Sequence, residues 1–254
     1  MITKYREPNM FIHVFKCIGV MPVINYIKYI LGMLSFVFMV GCATTENVKQ
    51  VNRLDAVDED PTILIMTPDV KYYLLTAGGV SQPHAEWTEA AKKNFSNALQ
   101  DFAKERDTKI ILLGEENQLS DLEIIYQKLY SAVGTSILIH HFGYSKLPTK
   151  QGSFDWSLGP GTQAIAEKYG ANYALFSYYR DYQASEGRVA FAVLAAIAGV
   201  GMSTGRESGF ASLVDLRTGN IVWFNKVTTG VGELKDKDGA RATIDVLFES
   251  LPES

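Results

Sequence analysis

Cysteine is nearly missing from this chain. Only Cys17 and Cys42 occur among 254 residues, which leaves no material for a disulfide scaffold or a cysteine-built zinc site. Basic charge is also short. Lysine and arginine number 24 against 28 aspartates and glutamates, and they form no stripe. This balance argues against nucleic acid as a partner, because backbone binding needs clustered cations. No apolar run reaches the roughly 20 residues of a helical membrane span. No Gly-Lys-Ser or Gly-Lys-Thr follows a glycine-rich turn, so a phosphate-cradling loop of that kind is excluded.

What is present starts with Met39-Val40-Gly41-Cys42. From Tyr29 to Val40 the chain reads Tyr-Ile-Leu-Gly-Met-Leu-Ser-Phe-Val-Phe-Met-Val, and no charge lies between Lys28 and Glu46. That length suits the apolar region of a signal peptide. A small residue, Gly41, precedes the cysteine, and polar Thr44, Thr45, Glu46 and Asn47 follow it. The stretch resembles the lipobox of bacterial lipoproteins, with Met39 where that family usually has leucine. The resemblance implies that Cys42 becomes the acylated (palmitate-bearing) first residue of the mature protein. Met21 begins a leader of conventional length with Lys28 as its positive charge. The expected organisation is therefore a mis-assigned extension over 1–20, a signal peptide over 21–41, a flexible tether over 42–60 and a periplasmic domain over 61–254. The competing reading is an uncleaved amino-terminal anchor helix over 11–40, which Lys16 and Lys28 interrupt.

Lys4, Arg6, Lys16 and Lys28 precede Cys42, as does Glu7, so the remainder is more acidic than the whole. The expected membrane link is the acyl chains on Cys42, not electrostatic docking to anionic headgroups. With Cys42 modified, no thiol remains for redox or nucleophilic chemistry. Ala43 follows the cysteine where aspartate would hold an enteric-type lipoprotein back. The implied location is the periplasmic face of the outer membrane.

Along the domain, Thr62 to Met66 reads as a strand closed by Pro68, and Val70 to Leu75 as a second extended segment. The spacing of Trp87, Ala91, Phe95, Ala98, Leu99 and Phe102 predicts a helix over 84–106. Lys109 to Leu113 is a short strand. Ser120 and Glu123 form a capping box opening a helix whose expected apolar face is Leu122, Ile125, Leu129, Val133 and Ile137. A loop over 146–161 leads to a short helix from Thr162, with Gly170 as a left-handed cap. Tyr173 to Tyr182 is a strand, 209–215 and 221–227 a hairpin, and about 238–250 a final helix using Ala242, Ile244 or Asp245, Val246 or Leu247, and Leu251. The order predicts an α/β (α+β) fold: a single domain with a mixed β-sheet covered by helices, a C-terminal β-hairpin and a terminal helix.

Gly170-Ala-Asn-Tyr-Ala-Leu175, a strand, and then Val214-Asp-Leu-Arg-Thr-Gly-Asn-Ile-Val-Trp223 give the carboxy-terminal part a further likeness. Over about residues 160–228 it resembles the periplasmic domain of curli-export lipoproteins. It is also similar to the amino-terminal domain of TolB and to lipoprotein activators of penicillin-binding proteins. Those relatives act by assembly and contact, so the resemblance implies no catalytic, metal or cofactor residue.

The candidate chemistry is thin. His140 and His141 are adjacent and would point about 100° apart on a helix, too far to chelate together. His84 sits where a helix starts. Gly159-Pro160-Gly161-Thr162 reads as a turn into a helix, since Pro160 has no amide hydrogen to offer an anion. Glu115-Glu116 reads as solvated charge. Val189 to Met202 is 14 uncharged residues rich in alanine and glycine. It is expected as a buried or protein-covered helix, with self-association or membrane contact as the second reading and a pore element as the last. The favoured function is a lipid-anchored, non-enzymatic envelope protein acting through protein contacts with unknown envelope partners. One alternative is an oligomeric export or pore component like the curli secretion channel. The other is a periplasmic hydrolase using His140, His141 or Asp155.

Overall fold

The computed structural model describes residues 45–49, 54, 61–115, 118–150, 153–227 and 232–253. The chain divides after Cys42 into two units, Met1–Cys42 and Ala43–Ser254, and the described residues all belong to the second. The leader, the lipobox with Cys42, and Glu116 lie outside the described residues.

Strand β6 (Tyr173–Ala184) is the spine of the sheet. Its first half pairs in parallel with β2 (Thr62–Ile65) and its second half with β3 (Asp69–Leu75). Pro68 lies in the gap between them, where its missing amide hydrogen cannot interrupt a ladder. β2 also pairs in parallel with β5 (Lys109–Leu112), and β3 pairs antiparallel with β4 (Ser81–Pro83). On the other side β7 (Gly205–Asp215), β8 (Ile221–Val227) and β1 (Thr45–Lys49) follow in antiparallel succession. The main path is thus β1-β8-β7-β6-β2-β5 in an eight-stranded mixed sheet. The expected α/β fold with its C-terminal hairpin and terminal helix is what the chain adopts.

Alternation along the strands gives the sheet two apolar faces. One face holds Ile63, Tyr173, Leu175, Leu213 and Trp223 against helix α1 (Ala85–Lys104) and the last helix, α5 (Lys237–Leu247). The other holds Leu64, Phe176, Phe210, Val214 and Phe224 against α2 (Asp121–Ile137) and α3 (Gln163–Tyr169). Asn225 donates through Nδ2 to the carbonyls of Val246 and Leu247 at 3.0 and 2.9 Å, adding side-chain partners at the end of α5, where the helical ladder runs out.

Four expectations change. Thr45–Lys49, inside the expected tether, is a strand paired with β8 from Thr45↔Val227 to Lys49↔Trp223. In α2 the buried residues are Glu123, Tyr126, Tyr130, Gly134 and Ile137, while Ile125 and Leu129 are exposed. The phase is set by shape. A Cβ on Gly134 would stand 2.0 Å from the Phe210 ring, so only glycine lets the helix lie this close to the sheet. The third change is in α5, which buries Ala240, Thr243, Ile244 and Leu247, with Ala242 only half-buried. The fourth concerns Val189–Met202, which is not core in this chain.

Candidate contact site at the end of the sheet

The sequence from Arg180 to Glu207 builds one end of the sheet. β6 ends at Ala184, and the amide of Ser185 bonds to the Leu75 carbonyl at 2.9 Å. The Ser185 hydroxyl then accepts from the Arg188 amide at 3.2 Å, capping helix α4 (Glu186–Ile197). The Arg188 guanidinium donates to the Ser203 carbonyl at 2.9 Å, closing the return to β7. Gly199, at φ +79°, supplies the left-handed turn after the helix.

α4 is anchored at its foot and bare above it. Ala192, 8% exposed, is its only buried residue. Phe191, Val193, Leu194, Ile197 and Val200 are exposed, Leu194 to 64% and Ile197 to 80%. At 1.5 Å per residue the helix is about 18 Å long. Among the described residues no helix is long and apolar enough to cross a membrane.

At the foot of α4 lies an open cleft of about 400 Å³, lined by Asp181, Gln183, Val189, Gly205, Glu207 and Glu233. Asp181 is 2% exposed and lies against the Tyr72 hydroxyl. Burial, reinforced by the negative charges of Glu207 and Glu233, pushes its carboxyl up to about 6. Burial also raises Glu207, which accepts from the Tyr179 hydroxyl at 3.0 Å. Both tyrosine hydroxyls are driven above their ordinary range, chiefly by burial and then by these carboxylates. Lys235 spans the rim, donating to Gln183 Oε1 at 2.8 Å and pairing with Glu233 at 3.0 Å. The cleft can hold or release a proton near neutral pH. Its lining contains no histidine and no serine. None of Asp181, Glu207 or Glu233 stands near another in sequence, so spacing gave no sign of the cluster.

The residues singled out by sequence fall elsewhere. His84 caps α1, its Nδ1 accepting from the Trp87 amide at 3.3 Å while its ring stacks on Trp87. His140 and His141 lie in a π-helical turn (Leu138–Phe142). His140 Nδ1 is 2.6 Å from the Ser145 carbonyl, and the His141 ring meets Phe142 and Phe154 edge-on. Asp155 pairs with Lys150 at 2.9 Å. Pro160–Thr162 is a 3-10 turn, and the Thr162 hydroxyl bonds to the Leu216 carbonyl at 2.8 Å, so the glycines there serve the start of α3. The sequence also holds one nucleophile-elbow spacing, Gly201-Met-Ser-Thr-Gly205. Its context is wrong for that role. It leads from a helix into β7 rather than from a strand into a helix, and the Ser203 hydroxyl bonds to the Gly205 carbonyl. Among the described residues no group of three His, Cys, Asp or Glu side chains is placed to hold a metal ion.

No protein-family model matches the chain, and no curated protein matches it. Among solved structures it is similar to the PelC dodecamer from Paraburkholderia phytofirmans, at 10% identity and a TM-score of 0.38, over 84% of this chain and 99% of that one. A single-substitution variant of the same dodecamer gives 11% identity and a TM-score of 0.38, over 84% of this chain and 100% of that one.

Proposed function

We propose that this chain is a lipid-anchored, non-enzymatic envelope protein, held by acyl chains on Cys42 and acting through contacts with other envelope proteins. The observation that carries the reading is where the apolar surface sits. Ile125 and Leu129 on α2 project from a regular helix rather than a loop. Such rigid display lowers the ordering cost of association, and exposed apolar clusters on an acidic chain call for cover. The strongest ionic groupings serve the fold. Glu123 is held by Lys168, Tyr169 and Ser120, and Arg180 by Asp69.

A photoreactive residue at Leu129 in living cells, with the membrane fraction compared between the native chain and Cys42→Ser, tests the reading. The expected result is a crosslink to one envelope protein that requires Cys42. Self-crosslinks alone would favour the oligomeric export alternative, and no crosslink at all would overturn the contact role.

A further inference from the structure

We propose that α4 docks into the lipid leaflet that holds the acyl chains of Cys42, as a helix lying in the membrane interface. The inference rests on the lipid-anchor reading above and adds an orientation to it. β1 is antiparallel to β8, so the chain upstream of Thr45 leaves the sheet at the Val227 end. Val227 lies opposite Gly209, and Gly209 opposite Tyr179. Beyond that level β6 and β7 run on together, from Arg180↔Ser208 to Gln183↔Gly205, and α4 stands on their tip.

Only Ala43 and Thr44 separate Cys42 from Thr45, three residue steps with a reach of at most about 11 Å. The extra stretch of β7, Gly205 to Ser208, rises about 13 Å, and β1 lies two strands, about 10 Å, to the side of β7. A lipid on Cys42 is therefore held to the end of the sheet that carries α4.

The side chains at that end match a membrane interface. Above stand the apolar residues Val189, Phe191, Val193, Leu194 and Ile197, with no charge between Arg188 and Arg206. Below them the Tyr73 and Tyr182 rings stack at 4.8 Å, and the Arg206 guanidinium covers Tyr182 at 4.5 Å. Aromatic rings and arginine beneath an apolar element are the arrangement that settles at headgroup level. Glu186 and Glu207 lie at the same level, so the docking is apolar and does not depend on anionic lipid. A twelve-residue helix cannot cross the bilayer, but it can lie along it.

The test uses the full acylated protein in vesicles of phosphatidylethanolamine and phosphatidylcholine. With Cys42 acylated, a single introduced cysteine takes an environment-sensitive fluorophore selectively. Leu194→Cys and Ile197→Cys report from α4. Arg217→Cys, in the β7–β8 turn at the opposite end, is the control. The expected result is a blue shift at 194 and 197, with emission cut roughly twofold by lipid-borne quenchers, and neither effect at 217. Unquenched emission at all three positions overturns the docking. So does copy-to-copy energy transfer at 194 without lipid quenching, which would make a second copy of the chain the cover. Intact mass spectrometry of the same sample keeps the two readings apart. An unacylated Cys42 overturns the anchor and the orientation built on it, whereas an acylated Cys42 with an unquenched α4 overturns the docking alone.

Discussion

Lowering the pH from 7 to 5 should stabilise this domain, and Asp181 is the reason. Its carboxyl titrates near 6 in the folded protein and near 3.8 without the fold. The folded state therefore binds the proton more tightly, and protonation favours folding. The stability linked to this proton is fully present below about pH 3.8 and is lost as pH rises through 6. The full span is about 3 kcal/mol at 1.36 kcal/mol per pH unit. Between pH 7 and 5 roughly 1 kcal/mol is recovered, because the unfolded chain stays almost wholly ionised across that window. Glu207 is raised by burial and adds in the same direction; Glu233 and Lys235, paired at 3.0 Å, are the other charged groups facing the cleft from the 233–236 turn. Urea titrations at steps between pH 7 and 5 read the effect. With a slope of about 2 kcal/mol per molar, the midpoint should rise by about 0.5 M. Asp181→Asn should be more stable than the native protein at pH 7 and should lose most of the rise. A native midpoint that is flat or falls on acidification, or an Asn variant that keeps the full rise, would refute the reasoning.

Other outcomes follow from groups described above. Burial alone would raise the Glu123 carboxyl, but its bonds to Lys168, Ser120 and Tyr169 outweigh that and hold it at about 2. Its contribution is present above pH 4.5 and lost as pH falls toward 2, so Glu123→Gln should flatten the acid limb of a pH–stability curve and cost about 1–3 kcal/mol at neutral pH. Gly134→Ala should lower the thermal midpoint by an amount equivalent to about 1–3 kcal/mol, with helical circular dichroism retained, because α2 must back away from Phe210. Arg180→Lys should cost about 1–3 kcal/mol in urea titrations. Lysine cannot reproduce the guanidinium's bonds to the Asp69 carboxylate, the Asp69 carbonyl and the Tyr179 carbonyl while stacking 3.9 Å from Tyr178.

How far the sequence could be read depended on whether neighbouring residues shared one environment. The hairpin at 209–227, the face of α1 and the Gly170 cap were legible because local pattern and burial agree there. In α2 they do not. Leu122, Ile125 and Leu129 make a better apolar stripe on paper than Glu123, Tyr126 and Tyr130. The buried carboxylate is tolerable only because Lys168 and Tyr169, 45 and 46 residues away, reach it at 2.7 and 2.8 Å. The cleft was hidden for a related reason: Asp181, Glu207 and Glu233 come from three separate segments that only the sheet and the 232–235 turn bring together. α4 is a different case. Its apolar composition suggests burial, but it stands beyond the paired ends of β3, β6 and β7, and only Ala192 of it is buried.

Strand β1 also decides how mechanical load would enter the fold. A pull from upstream of Thr45 is directed along the strand, and all of the ladder from Thr45↔Val227 to Lys49↔Trp223 resists it at once, in shear. Peeling, in which the pairs open in succession under a small force, would need the load to act across the strand instead. The upstream segment is thus coupled to β8, a strand buried over most of its length, with Trp223 and Phe224 at its centre. Under such a pull the lifetime of the fold is set by its unfolding rate and not by its equilibrium stability.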